Sequence, residues 1–149
     1  MFGVRKSTQQ EVALEVQDEF IERVQNAAED FRTAVPTPAA LDYSMPSVAA
    51  LDAVLQEAHS GRLALTPMQT VGAAAYLYEV ARRHYGGLYE VCDDDDPVVL
   101  VTGEPEFEVC LCAIAKVERC VRNGPAERLP EFFQHYVRAV TDRRSDTIR

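Results

Sequence analysis

Leu88-Tyr89-Glu90-Val91-Cys92-Asp93-Asp94-Asp95-Asp96-Pro97-Val98-Val99-Leu100-Val101-Thr102 is the stretch on which the fold turns. Two short apolar or β-branched runs, Leu88 to Cys92 and Val98 to Thr102, flank four aspartates and a proline, the pattern of a hairpin closed by a solvated turn. Phe107 to Cys112 follows, with Phe107, Val109 and Leu111 alternating against Glu108, Cys110 and Cys112, as in a third strand with one half-buried face. The sheet therefore interrupts a chain whose remaining periodicity is helical.

Working outward, the helical spacing resumes at Ile114, Val117 and Val121 and stops at Asn123-Gly124-Pro125. A last helix begins near Leu129-Pro130 and buries Leu129, Phe132, Phe133, Tyr136, Val137 and Val140. On the other side, Val12, Val16, Phe20, Val24, Ala27 and Phe31 mark one stripe of a long helix from Gln9 to Ala34, ended by Pro36 and Pro38. A second helix follows Ser44 as cap and Pro46 in its first turn, with Val48, Leu51, Val54, Leu55 and Ala58 inward and Gly61 after its end. Thr66-Pro67-Met68-Gln69 is a capping box, opening a third helix that runs to Tyr85 and stops at Gly86-Gly87. Small residues from Gly72 to Ala75, then Tyr76, Leu77, Tyr78 and Val80, predict that this is the most buried helix.

The predicted order is three helices, three strands, two helices. It excludes doubly wound and barrel α/β folds and predicts an α+β domain of about five helices on a small antiparallel sheet of two to three strands. Residues 1–149 read as one domain, with 1–8 and 142–149 frayed.

The stretch from Thr66 to Gly87 resembles bacterial families of uncharacterised small proteins, domains of unknown function. They share an Ala-Tyr-Leu-x-Glu-Val-x-Arg helix ending in Gly-Gly before a strand. The matching residues are Ala75, Tyr76, Leu77, Glu79, Val80, Arg83, Gly86 and Gly87. Leu41 to Ser44 upstream and Lys116 to Gly124 downstream are similar to those families too, while Leu88-Tyr89 stands where many of them carry an aromatic, often Trp. The resemblance implies a bacterial α+β domain and supplies no activity.

The 149 residues are 47% apolar and carry a formal charge of −9, enough for a packed core and without any apolar run of the roughly 20 residues a membrane helix needs. The acidic balance disfavours nucleic acid and anionic membranes as partners. Residues 92–112 alone carry −7, from four aspartates and three glutamates, whereas residues 113–149 carry +3. Arg5 and Lys6 precede no apolar segment of signal-peptide type, so a cytoplasmic location is expected, with Cys92, Cys110, Cys112 and Cys120 reduced.

Nucleotide-binding glycine loops and a serine-nucleophile elbow are missing from the sequence. Cys110 and Cys112, joined by Cys92, Cys120 or a histidine, offer zinc ligands, but the spacing is unfamiliar and burial as small apolar groups is the preferred reading. No cofactor and no metal ligand are assigned. Asp93, Asp94, Asp95 and Asp96 lack the glycine and distal glutamate of a calcium loop and read as a solvated tip that could meet a basic partner. Glu79, Arg83, Tyr76 and Tyr89 are the second candidate set, lining a pocket between the third helix and the sheet, against the plainer reading of helix-surface ion pairs.

These features favour a non-enzymatic protein-interaction domain of immunity-protein or antitoxin type, with another protein as partner. Self-association through the acidic hairpin and the basic C-terminal region is an alternative, as is a small-ligand binder or enzyme using the pocket.

Overall fold

The computed structural model describes residues 2–92 and 96–149, with side chains from residue 15 onward. The helices are α1 (Phe2–Ala34), α2 (Ser47–His59), α3 (Pro67–Tyr85), α4 (Ile114–Asn123) and α5 (Leu129–Thr141). The strands are β1 (Leu88–Val91), β2 (Val98–Thr102), β3 (Val109–Leu111) and β4 (Asp146–Ile148), so the fold is α+β.

Thr66 opens α3 as its residues dictate: its hydroxyl accepts from the Gln69 N–H at 3.1 Å, and the Gln69 side chain accepts from the Thr66 N–H at 2.9 Å. At α2 the sequence expectation needs correcting. Ser44 turns its hydroxyl onto Asp42 at 2.6 Å instead of capping, and its backbone carbonyl takes the Ser47 N–H. Pro46 stands just before the first helical residue.

α1 and α3 pack closely against each other. Gly72 makes this possible, because a Cβ there would lie 2.8 Å from the Phe31 Cβ and 3.0 Å from the Ala27 carbonyl oxygen. Gln17 is paired with Tyr89 while Phe31 meets Gly72, so the two chain segments run in opposite directions past each other. At the end of α3, Gly87 adopts φ +128 and lets the chain pass against Thr102 and the Val101 carbonyl, where any side chain would collide. This close turn is what returns the chain from α3 into β1.

The hairpin forms as read, with Leu88 opposite Val101 and Val91 opposite Val98. β3 pairs antiparallel with β2. The sheet is nevertheless four-stranded and mixed, in the order β1-β2-β3-β4, because β4 adds parallel to β3. Within the segment expected to fray, residues 146–148 therefore form a strand. Ile148 is buried, its carbonyl accepts from the Cys112 N–H, and the Asp146 N–H donates to the Glu108 carbonyl. A three-residue strand with one apolar side chain has no periodicity to detect; it exists because a distant strand edge supplies its partners.

The two faces of the sheet differ. Tyr89, Leu100, Val109, Leu111 and Ile148 join the main core with residues of all five helices. Val99, Val101 and Cys112 point the other way and form a separate cluster with Cys92 and Cys110, to which no described helix residue contributes. No described helix is long and apolar enough to cross a membrane.

Candidate functional site

Three places carry the features that could do work: the Glu79 network, the helix-free sheet face, and an apolar groove along α1.

Glu79 lies on α3 with no solvent exposure. Its oxygens accept from Arg82 Nε at 2.7 Å, Arg82 Nη2 at 3.0 Å, Arg83 Nε at 3.4 Å and the Tyr89 hydroxyl at 2.7 Å. Burial pushes its carboxyl upward, but the hydrogen bonds from Arg82 and Tyr89 and the two guanidinium charges prevail, holding it below the ordinary value of 4.5. Arg83 continues outward, its guanidinium carbon 3.7 Å from the centre of the Tyr43 ring. Tyr43 stacks on Tyr76 with ring centres 4.6 Å apart and donates to Glu29 at 2.9 Å. Tyr76 accepts from the Tyr43 N–H at 2.9 Å and donates to Ser47 at 2.7 Å.

All four sequence-proposed residues thus belong to one network, yet its polar groups are engaged with one another. Glu79 ties β1 to the end of α3, and Arg83 ties α3 to the loop after α1. Tyr43 and Glu29 complete the network; the Tyr76–Tyr43 contact had a signal only in the paired motifs around Leu41 to Ser44 and Ala75 to Arg83.

The acidic turn divides. Asp93, Asp94 and Asp95 lie outside the described residues. Asp96 does not sit on a solvated tip: it is buried, and its carboxylate accepts from the Ala115 N–H at 3.0 Å in the first turn of α4. That helix begins at Ala113 and Ile114, neither of which can cap it, so an acceptor arrives from the hairpin instead.

Acidic side chains do gather on the helix-free face. Glu90 and Glu108 line an open hollow of about 420 Å³ together with Val101, Cys110, Ser145, Asp146 and Thr147, the Asp146 carboxylate itself being turned to His135 on α5 at 3.0 Å. Glu104 is pushed above its ordinary value of 4.5, first by desolvation and then by the negative charges of Glu90 and Glu108. Sequence reading placed the charge in this segment but not on this face, because only the pairing of β1 through β2 to β3 brings Glu90 and Glu108 to one side of the sheet.

The groove is bounded by α1, α3, β2 and α4, has a volume of about 210 Å³, and is lined by Phe20, Val24, Ala27, Val71, Tyr78 and Ile114 among others, with Arg23 as its one charged wall. None of Glu79, Arg83, Tyr76 or Tyr89 lines it. Ala27 and Ala75 are too short to fill the space between the helices, and the Tyr78 hydroxyl is held by the Val98 carbonyl and the Ala113 N–H.

Among the described residues no group of three or more His, Cys, Asp or Glu is arranged to hold a metal ion. Comparison of the chain with family models, with curated proteins and with solved structures finds no match to any of them.

Proposed function

We propose that the chain is a non-enzymatic interaction domain that presents its helix-free sheet face to a basic protein. The observation that carries this reading is the pair Glu90 and Glu108 lining an open hollow, with Glu104 near enough that its carboxyl is raised, first by desolvation and then by the charges of those two. Like charges held together cost stability, and a cationic partner relieves that cost on binding. The −7 charge of residues 92–112 adds a field that speeds encounter and weakens with salt.

The β1 edge is unavailable for strand addition at its centre, since Gln17 donates to the Tyr89 carbonyl at 2.6 Å and accepts from its N–H at 3.1 Å. Recognition then falls to side chains on the face. A cytoplasmic bacterial immunity or antitoxin role, covering a basic effector, is the biological form this takes; a second copy, through the basic residues of 113–149, is the competing partner.

Affinity capture with wild-type bait against the E90K/E108K double variant tests it. Both glutamates are exposed, so the exchange reverses charge without disturbing the core. Loss of a basic partner supports the reading; equal capture by both baits refutes it. Sedimentation of the purified chain at low and high salt shows whether that partner is a second copy.

The groove favours a second reading, a site for a small apolar ligand bearing one negative charge toward Arg23. Filling it by A75L should abolish such binding, and no thermal stabilisation by a panel of aromatic and short-chain carboxylates would remove it.

A further inference from the structure

Cys110 on β3 and Cys112, the residue just after its end, are two apart and both join the cluster on the helix-free face, with their sulfurs 3.8 Å apart. Neither is in a disulfide. Cys110 is half-buried and lines the acidic hollow, whereas Cys112, 4% exposed, is not part of its lining. The fourth cysteine, Cys120, is in the main core and belongs to a different part of the molecule.

The sulfur spacing suits one soft ion. Two metal–sulfur bonds of about 2.3 Å place their sulfurs about 3.8 Å apart at a tetrahedral angle and up to about 4.6 Å apart when collinear, and the observed separation lies at the near end of that range. Zinc requires four donors, and among the described residues no third His, Cys, Asp or Glu is grouped with the pair. Thiolate-rich sites with few donors select copper in its monovalent state, a soft ion that accepts two sulfur ligands.

We propose that Cys110 and Cys112 chelate a single Cu(I) ion, delivered through the acidic hollow. The ion replaces two thiol protons: both S–H bonds break, two Cu–S bonds form, two protons pass to solvent and no electron moves. Glu90 and Glu108 around the hollow attract the incoming cation. Because two thiol protons leave for each ion bound, binding tightens as pH rises.

The test is an anaerobic titration of the full chain with Cu(I) in competition with a chromophoric Cu(I) chelator, alongside C92S, C110S and C112A variants checked for folding by circular dichroism. One equivalent per chain should be withdrawn from the chelator by wild type and by C92S, with release of two protons per ion. C110S, whose site is half-open to solvent, should bind more than about a hundredfold more weakly, beyond what loss of a merely supporting group causes. Retention of wild-type affinity in folded C110S or C112A, loss in C92S, or one ion per two chains would overturn the chelate. Zinc held at one equivalent while Cu(I) is refused would overturn the ion assignment.

Discussion

The hydroxyl of Tyr89, on β1, donates to the fully buried carboxylate of Glu79, on α3, at 2.7 Å. A buried charge is tolerated only while its hydrogen-bonding capacity is filled, and Tyr89 supplies the donor that comes from outside the helix. Y89F keeps the ring and deletes that donor. It should lower the free energy of unfolding by about 1.5–3 kcal/mol in urea denaturation, as for other hydrogen bonds to charged groups. Wild-type stability in Y89F would mean that Arg82 and Arg83 suffice.

Glu79 also sets a pH dependence. Its folded-state carboxyl titrates below the ordinary 4.5, so its contribution is complete above that value and is lost as the pH falls through the folded value. Stability of wild type should therefore drop on acidification below about 4.5, and E79Q, though weaker at neutrality, should show a shallower drop. Parallel chemical-denaturation curves between neutral and acid pH decide the matter.

Glu104 works in the opposite sense. Its pKa is raised, so the folded state loses stability as pH rises from the ordinary 4.5 through the raised value, and the loss persists at neutrality. E104Q is expected to raise the thermal midpoint at pH 7 and to match wild type in strong acid. A lower midpoint at pH 7 would show that the carboxylate is instead stabilising where it stands.

Within the acidic turn, Asp96 and its neighbours should separate by effect. D96A removes the acceptor for the Ala115 N–H and should cost about 0.5–2 kcal/mol, the usual worth of a helix cap. Replacing Asp93, Asp94 and Asp95 by Asn should instead weaken partner capture and flatten its salt dependence. Unchanged capture and salt dependence in that triple variant would remove these three from the interface.

What was legible followed from local rules. The capping box at Thr66, the proline stop after α1 and the alternation of Val109 and Leu111 each express a preference that tertiary structure left intact. β4 was not legible, since Asp146-Thr147-Ile148 becomes a strand only beside β3. Asp96 misled for a related reason: four adjacent aspartates look uniformly solvated, yet a strand turn can aim one of them at a distant helix end. Tyr76, Glu79, Arg83 and Tyr89 were read as lining a pocket, and sequence could not show that they would instead be tied up with one another and with Tyr43 and Ser47. The groove arises from what Ala27 and Ala75 fail to fill, and absent volume leaves no pattern in a sequence.

The most direct measurement of an acidic docking face is quantitative affinity capture with three baits: wild type, E90K/E108K on the sheet face and V71K at the groove. Docking on the sheet face predicts a basic protein enriched by wild type and by V71K and lost with E90K/E108K. Equal enrichment by wild type and E90K/E108K, or loss confined to V71K, would contradict it.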